Sequence, residues 1–256
     1  MNSHPQEYDF ERLLKAAVLK ILQETTTTSS SVNMDTDLNP SNLGTREYWE
    51  ETYLTDLQNY EDTNGIDVGE IWFGFESERR IVNWITRKGY PKTTSVIDIG
   101  CGNGSLLLAL HKNGFTNLTG IDYSQAAVSL ATTVARDKNA NTIQYSVADI
   151  TVPEDCREEH PQLFARSFDL CIDKGTYDAI CLNPLNSREK RALYAKNLHK
   201  ILNENGVLVI TSCNWTKDEM VSQFTDFEVV DELPAPQFQF GGKSGRTVTA
   251  LVFKRR

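Results

Sequence analysis

Three carboxylates stand at or near the ends of successive apolar runs: Asp98 in Val96-Ile97-Asp98-Ile99, Asp122 in Gly120-Ile121-Asp122-Tyr123, and Asp149 in Ala148-Asp149-Ile150. The first run leads directly into Gly100-Cys101-Gly102-Asn103-Gly104. A glycine-rich turn between a buried strand and a helix lets the backbone approach a ligand that a Cβ would exclude, and such loops bind nucleotides. A dinucleotide fingerprint starting at Gly100 requires glycine at position 105, where Ser105 stands; the third glycine comes one residue early, at Gly104. NAD needs a helix N-terminus open to its pyrophosphate. S-adenosylmethionine has no phosphate and carries a sulfonium and an α-ammonium group, which Asp98 suits. Asp122 can take both ribose hydroxyls, and Asp149 can accept from the adenine amino group while Ile150 covers the ring. Each element alone is ordinary loop chemistry. All three in order, at the carboxyl ends of parallel strands, point to S-adenosylmethionine.

The acceptor side is read from Phe168-Asp169-Leu170-Cys171-Ile172-Asp173 running into Lys174-Gly175-Thr176-Tyr177-Asp178. Methyl transfer from a sulfonium is an in-line displacement by a neutral nucleophile, so the protein supplies position and electrostatics. A lysine acceptor of pKa near 10.4 is neutral in only about four molecules in ten thousand at pH 7, equivalent to roughly 4.6 kcal/mol of barrier. Asp173 or Asp178 is placed to orient the ammonium or pass its proton to solvent, and Tyr177 or upstream aromatics to enclose the stem. Lys174, Gly175 and Thr176 read equally well as an ordinary tight turn. Trp49, Trp72 and Phe73 read either as core or as an aromatic wall at the acceptor mouth.

The elements that must position these groups follow from periodicity. Strands are expected over 95–99, 118–122, around Ile143, Tyr145 and Val147, over 167–173, 207–211, 227–231 and 247–254. Helices are expected over 105–113, after Ser124 with Ala127, Leu130, Ala131 and Val134 inward, over 187–203, and from Thr216, which stands in capping-box spacing with Glu219. Only a Gly- and Pro-rich loop over 234–245 joins the last two strands, so they should pair as an antiparallel hairpin at the sheet edge. The expected fold is α/β: a class I methyltransferase, Rossmann-like, with a seven-stranded mostly parallel sheet, that hairpin, and helices on both faces.

Upstream, a marginal helix over 11–23 and a Thr/Ser-rich linker form a flexible tail, residues 1–42. The domain spans 43–256, with an aromatic-rich extension over 43–94 covering the site and a catalytic core over 95–256. The formal charge of −9, without long runs, argues against a nucleic-acid surface and is compatible with a basic protein partner. Five cysteines with no C-x-x-C spacing suggest neither a disulfide framework nor a metal site. No stretch approaches the roughly 20 apolar residues that cross a bilayer. A monomer in the cytoplasm, with the nucleus also open to it, is expected. Gly242-Lys243-Ser244 is no P-loop, because Gln237 stands where the first glycine is required.

Leu43-Gly44-Thr45-Arg46-Glu47-Tyr48-Trp49-Glu50-Glu51, Gly69-Glu70-Ile71-Trp72-Phe73-Gly74, the glycine loop, Asp173-Lys174-Gly175-Thr176-Tyr177-Asp178 and Ser212-Cys213-Asn214-Trp215-Thr216 together resemble the elongation factor 1-alpha lysine methyltransferase 2 family. The resemblance runs from about Leu43 to the C-terminus. It implies cofactor contacts at Trp49, Asp98, Gly100, Gly102, Asp122 and Asp149, at their neighbours Cys101, Asn103, Gly104, Tyr123, Ser124, Ala148 and Ile150, and at Asp173. It implies a protein-lysine site in which Asp173 and Tyr177 are catalytic and Trp72, Phe73, Lys174, Gly175, Thr176 and Tyr177 bind substrate. It also implies elongation factor 1-alpha as that substrate, which no spacing or periodicity shows. A methyltransferase acting on a small molecule or another protein amine, and an inactive cofactor-binding module, are the competing readings.

Overall fold

The β-branched runs become strands in the computed structural model of the chain, which describes residues 37–234, 237–240, 243–246 and 248–256. The helix and linker expected within 1–36 lie outside the described residues. The sheet comprises β1 (Val96–Ile99), β2 (Leu118–Asp122), β3 (Gln144–Val147), β4 (Phe168–Lys174), β5 (Leu202–Ser212), β6 (Phe227–Glu232) and β9 (Thr249–Arg255). Their order is β3-β2-β1-β4-β5-β9-β6. β1 to β5 pair in parallel, and β9 runs antiparallel to both β5 and β6. The switch point, where ligands gather outside the carboxyl ends of the strands, falls between β1 and β4. The register there places Ile99 beside both Ile121 and Asp173.

Helices cover both faces, as a parallel sheet with near-continuous apolar strands requires. On one side lie α1 (Arg46–Asp62), α2 (Gly74–Arg87), α3 (Ser105–Lys112) and α4 (Gln125–Asp137), burying Ile81, Ile85, Leu107 and Leu130. On the other lie the short α5 (Pro161–Phe164) and α6 (Thr176–Cys181), with α7 (Ser187–Ile201) and α8 (Lys217–Gln223), around Tyr194, Leu198 and Met220. Ser124 caps α4 by accepting from Ala127 N at 3.0 Å, and Thr216 and Glu219 form the expected capping box of α8.

The extension, for which no elements were expected, contains the two helices α1 and α2. Two local expectations change. Helix α7 ends at Ile201, and β5 begins at once with Leu202. The loop expected over 234–245 contains a further antiparallel pair, β7 (Gln237–Phe240) with β8 (Lys243–Arg246). Its alternating Gln-Phe-Gln-Phe is a strand pattern, hidden between flanking prolines and glycines.

Candidate active site

Between β1 and α3 the chain turns through Gly100, Gly102 and Gly104, with φ of +69°, +51° and +77°, the left-handed region that side chains disfavour. A Cβ on Gly100 would also overlap the hydroxyl of Thr176, which donates to the Ile99 carbonyl at 2.6 Å. Asp122, at the end of β2, braces the loop: Oδ2 accepts from Gly102 N at 3.1 Å and Oδ1 from Ser124 N at 2.9 Å. After β3, Asp149 accepts from the amide and hydroxyl of Thr151. Burial pushes the Asp98 carboxyl up to about 7, with the Lys174 charge opposing it, and Asp122 up to about 6, opposed by the Ser124 and Gly102 amides.

These strand ends open into a cavity of about 320 Å³, within the size range of small-molecule sites. Of the sequence-predicted cofactor residues, Trp49, Gly100, Cys101, Gly102, Asn103, Asp122, Tyr123, Ala148, Asp149 and Ile150 line it. On the acceptor side Trp72, Phe73, Lys174, Gly175 and Thr176 do so. Asp98, Gly104, Ser124, Asp173 and Tyr177 are not part of the lining. Asp98 and Ser124 are buried, and Gly104 is the N-cap of α3. Asp173 is fully buried; its carboxylate accepts from the amides of Thr176 and Tyr177, both at 2.9 Å, and from the Tyr194 hydroxyl. Burial raises its pKa to about 7 despite those donors. Tyr177 is also buried, with its hydroxyl donating to Gln223. The carboxylate that does line this side is Asp178, which accepts from Ser212 Oγ at 2.6 Å and Cys213 N at 2.8 Å.

The N-terminal extension forms part of the cavity wall through Trp49, Tyr53, Glu70, Trp72 and Phe73. Asn103 Nδ2 donates to the carbonyls of Val68 and Glu70 at 3.0 and 3.3 Å, pinning the segment between α1 and α2 over the glycine loop. Trp49 meets Trp72 edge-on at 4.8 Å and stacks with Tyr53 at 6.0 Å. The turn before α1 is stitched to the end of α6 by Ser41 N donating to Leu182 O and Asn183 Nδ2 to Gly44 O. Tyr53, Glu70, Leu182, Asn183, Lys190 and Asn214 join the lining without having been singled out from sequence as site residues. Tyr53 lies one helical turn after Trp49 and was findable by that spacing. Leu182 and Asn183 carry no local signal.

The donor set fits S-adenosylmethionine. Around the glycine loop the wall offers backbone and the carboxylates of Asp122 and Asp149, with Asp98 behind them. A pyrophosphate would meet negative charge there, whereas a cationic ligand with a ribose diol meets acceptors. Among the described residues no group of three or more His, Cys, Asp or Glu is arranged to hold a metal ion.

Comparison with known proteins agrees with this geometry. Residues 91–241 match the model of a methyltransferase domain family, Methyltransf_31. A solved S-adenosylmethionine-dependent methyltransferase from Anabaena variabilis superposes with a TM-score of 0.59 at 16% identity, covering 89% of this chain and 100% of that one, a likeness of fold. Protein-lysine N-methyltransferase EFM4 of Saccharomyces cerevisiae is 34% identical over 86% of this chain and 97% of its own length. EEF1A lysine methyltransferase 2 of Danio rerio is 46% identical over 86% of this chain and 90% of its own. With likeness at that level over nearly the whole described domain, the chain belongs to the EEF1A lysine methyltransferase 2 family.

Proposed function

We propose that this chain transfers a methyl group from S-adenosylmethionine to the ε-amine of a lysine in translation elongation factor 1-alpha. The observation that carries this reading is the 46% identity over 86% of the chain to a relative named for that activity. When bound, the cofactor supplies a sulfonium methyl open to in-line displacement. Asp122 and Asp149 would hold its ribose and adenine edge, and the backbone at Gly100 and Gly102 would let it approach closely.

The acceptor enters beside Lys174, Gly175 and Thr176. Asp178 is the carboxylate positioned to draw in the ammonium and pass its proton to solvent; with the Ser212 hydroxyl and the amide and thiol of Cys213 already donating to it, it acts as an electrostatic anchor more than a strong base. Trp72 and Phe73 flank the aliphatic stem. Asp173 shapes the turn by capping the first amides of α6, and Tyr177 supports it from within. Residues 43–94 serve as the cover and 95–256 as the catalytic core. The chain works as a monomer in the cytoplasm, where a translation factor is met, with the nucleus also open to it.

The test is incubation of the purified protein with tritiated cofactor and purified elongation factor 1-alpha. Label on a lysine of that factor, missing at the same lysine in cells that lack this protein, is the expected result. No label on that factor, with label confined to small molecules or other proteins when a cell extract is supplied instead, overturns it.

A further inference from the structure

Two neighbouring residues at the end of β4 grip two neighbouring residues of the cover. Lys174 Nζ donates to the Trp72 carbonyl at 2.8 Å. Gly175, with φ of +97°, leaves room for the Phe73 ring, where a Cβ would overlap Cε2. Phe73 itself has φ of +66° and stands as the N-cap of α2 without a side-chain cap bond. A non-glycine residue holds that conformation only where its surroundings over-determine it. From the other end of the segment, Glu78 on α2 accepts from Ser105 Oγ at 2.6 Å, so the cover is tied to α3 as well.

We propose that Lys174 is a positioning residue, a strut from β4 that holds the 69–73 segment over the cofactor cavity, and not a group that touches the acceptor lysine. Its ammonium is committed to a main-chain carbonyl of the cover, so the carbonyl's position, and with it the Trp72 and Phe73 walls, depends on a side chain more than a hundred residues away. Its charge also opposes the burial that raises the Asp98 carboxyl. The inference rests on the methyltransferase reading only for its activity measurement.

The experiment compares wild type, Lys174→Met and Lys174→Arg as cofactor-free, full-length proteins, by amide exchange over 69–73 and by acrylamide quenching of tryptophan. In Lys174→Met, exchange should quicken and cofactor Kd rise by about tenfold or more, the scale of losing one charge-assisted hydrogen bond. Lys174→Arg, which keeps a charged donor, should restore protection of the segment. A raised acceptor KM with exchange in the cofactor-free protein unchanged overturns the strut and makes Lys174 an acceptor contact. Recovery of protection and cofactor binding in the Lys174→Met/Asp98→Asn double variant also overturns it, since Lys174 would then only neutralise Asp98. Should Lys174→Met not fold, wild type and Lys174→Arg decide: 69–73 must be as protected in both as the first turn of α2, and free exchange there refutes the strut. Absence of methylation by wild type bears on the proposed substrate, whereas the exchange data bear on Lys174 alone.

Discussion

The cofactor half and the acceptor half of the cavity are built in different ways. Around the cofactor, the bonds on the acidic strand ends are short in sequence: Ser124 to Asp122 and Thr151 to Asp149 are two residues apart, and Gly102 to Asp122 is twenty, with Asn103 reaching Val68 across 35. Around the acceptor several are longer. Asp178 meets Ser212 across 34 residues, Thr176 meets Ile99 across 77, Lys174 meets Trp72 across 102, and Asn183 meets Gly44 across 139. A half made from local turns can be transplanted among many enzymes of one fold, while a half made from distant segments changes whenever any of them is altered. Substrate choice can therefore diverge while the cofactor is kept.

The sharpest way to break this contrast is Gly100→Val. It forces a branched side chain into left-handed backbone and onto Thr176, so it should strike both halves: cofactor binding by calorimetry should fall at least about a hundredfold, with about 2–4 kcal/mol lost in denaturant unfolding. Asp178→Ala should separate the halves. Methyl transfer should drop by roughly a hundredfold to a thousandfold while cofactor Kd moves less than about threefold; a matching loss of cofactor binding would show that Asp178 belongs to the cofactor half. Asp173→Ala should act on folding, because three donors lose their acceptor, with about 3 kcal/mol or more removed from unfolding stability. A stable but inactive variant would return Asp173 to the chemistry. Asp122→Asn is expected to be milder still, weakening cofactor affinity by about tenfold with transfer at saturation little changed.

The smallest effect concerns pH. Asp98 and Asp173 are raised to about 7 and Asp122 to about 6, above the usual carboxyl value of 3.8. The folded chain therefore holds protons that the unfolded chain has released, and stability present below about pH 4 is lost as pH rises through 6 to 7. Cofactor-free protein should melt a few degrees higher at about pH 5 than at about pH 7.5, and Asp98→Asn should flatten that slope. A steeper slope in the variant would place the titration elsewhere.

What could be read from sequence follows the same division. The glycine loop, its acidic partners and the caps at Ser124 and Thr216 are local patterns, and the residues carry them openly. The orientation of Asp173 is not local. An aspartate at a strand end looks the same whether it faces a ligand or the interior, and Asp173 is held inward by the Tyr194 hydroxyl from α7 together with the amides of Thr176 and Tyr177. Helix α1 was missed because Tyr53 and Tyr60 are its only buried residues, too few to raise a periodic apolar signal. The β7–β8 pair was missed because proline and glycine at its borders outweighed a four-residue alternation.

Strand β9 is the last in chain order, yet it lies inside the sheet, bonded to β5 on one side and β6 on the other. β6 has no other strand partner among the described residues. While the polypeptide grows, the ligand-bearing strands can assemble early, but β5 keeps an open edge and β6 waits unpaired until β9 slots between them. A chain interrupted before β9 would retain its cofactor loop and leave that edge as a template for intermolecular pairing.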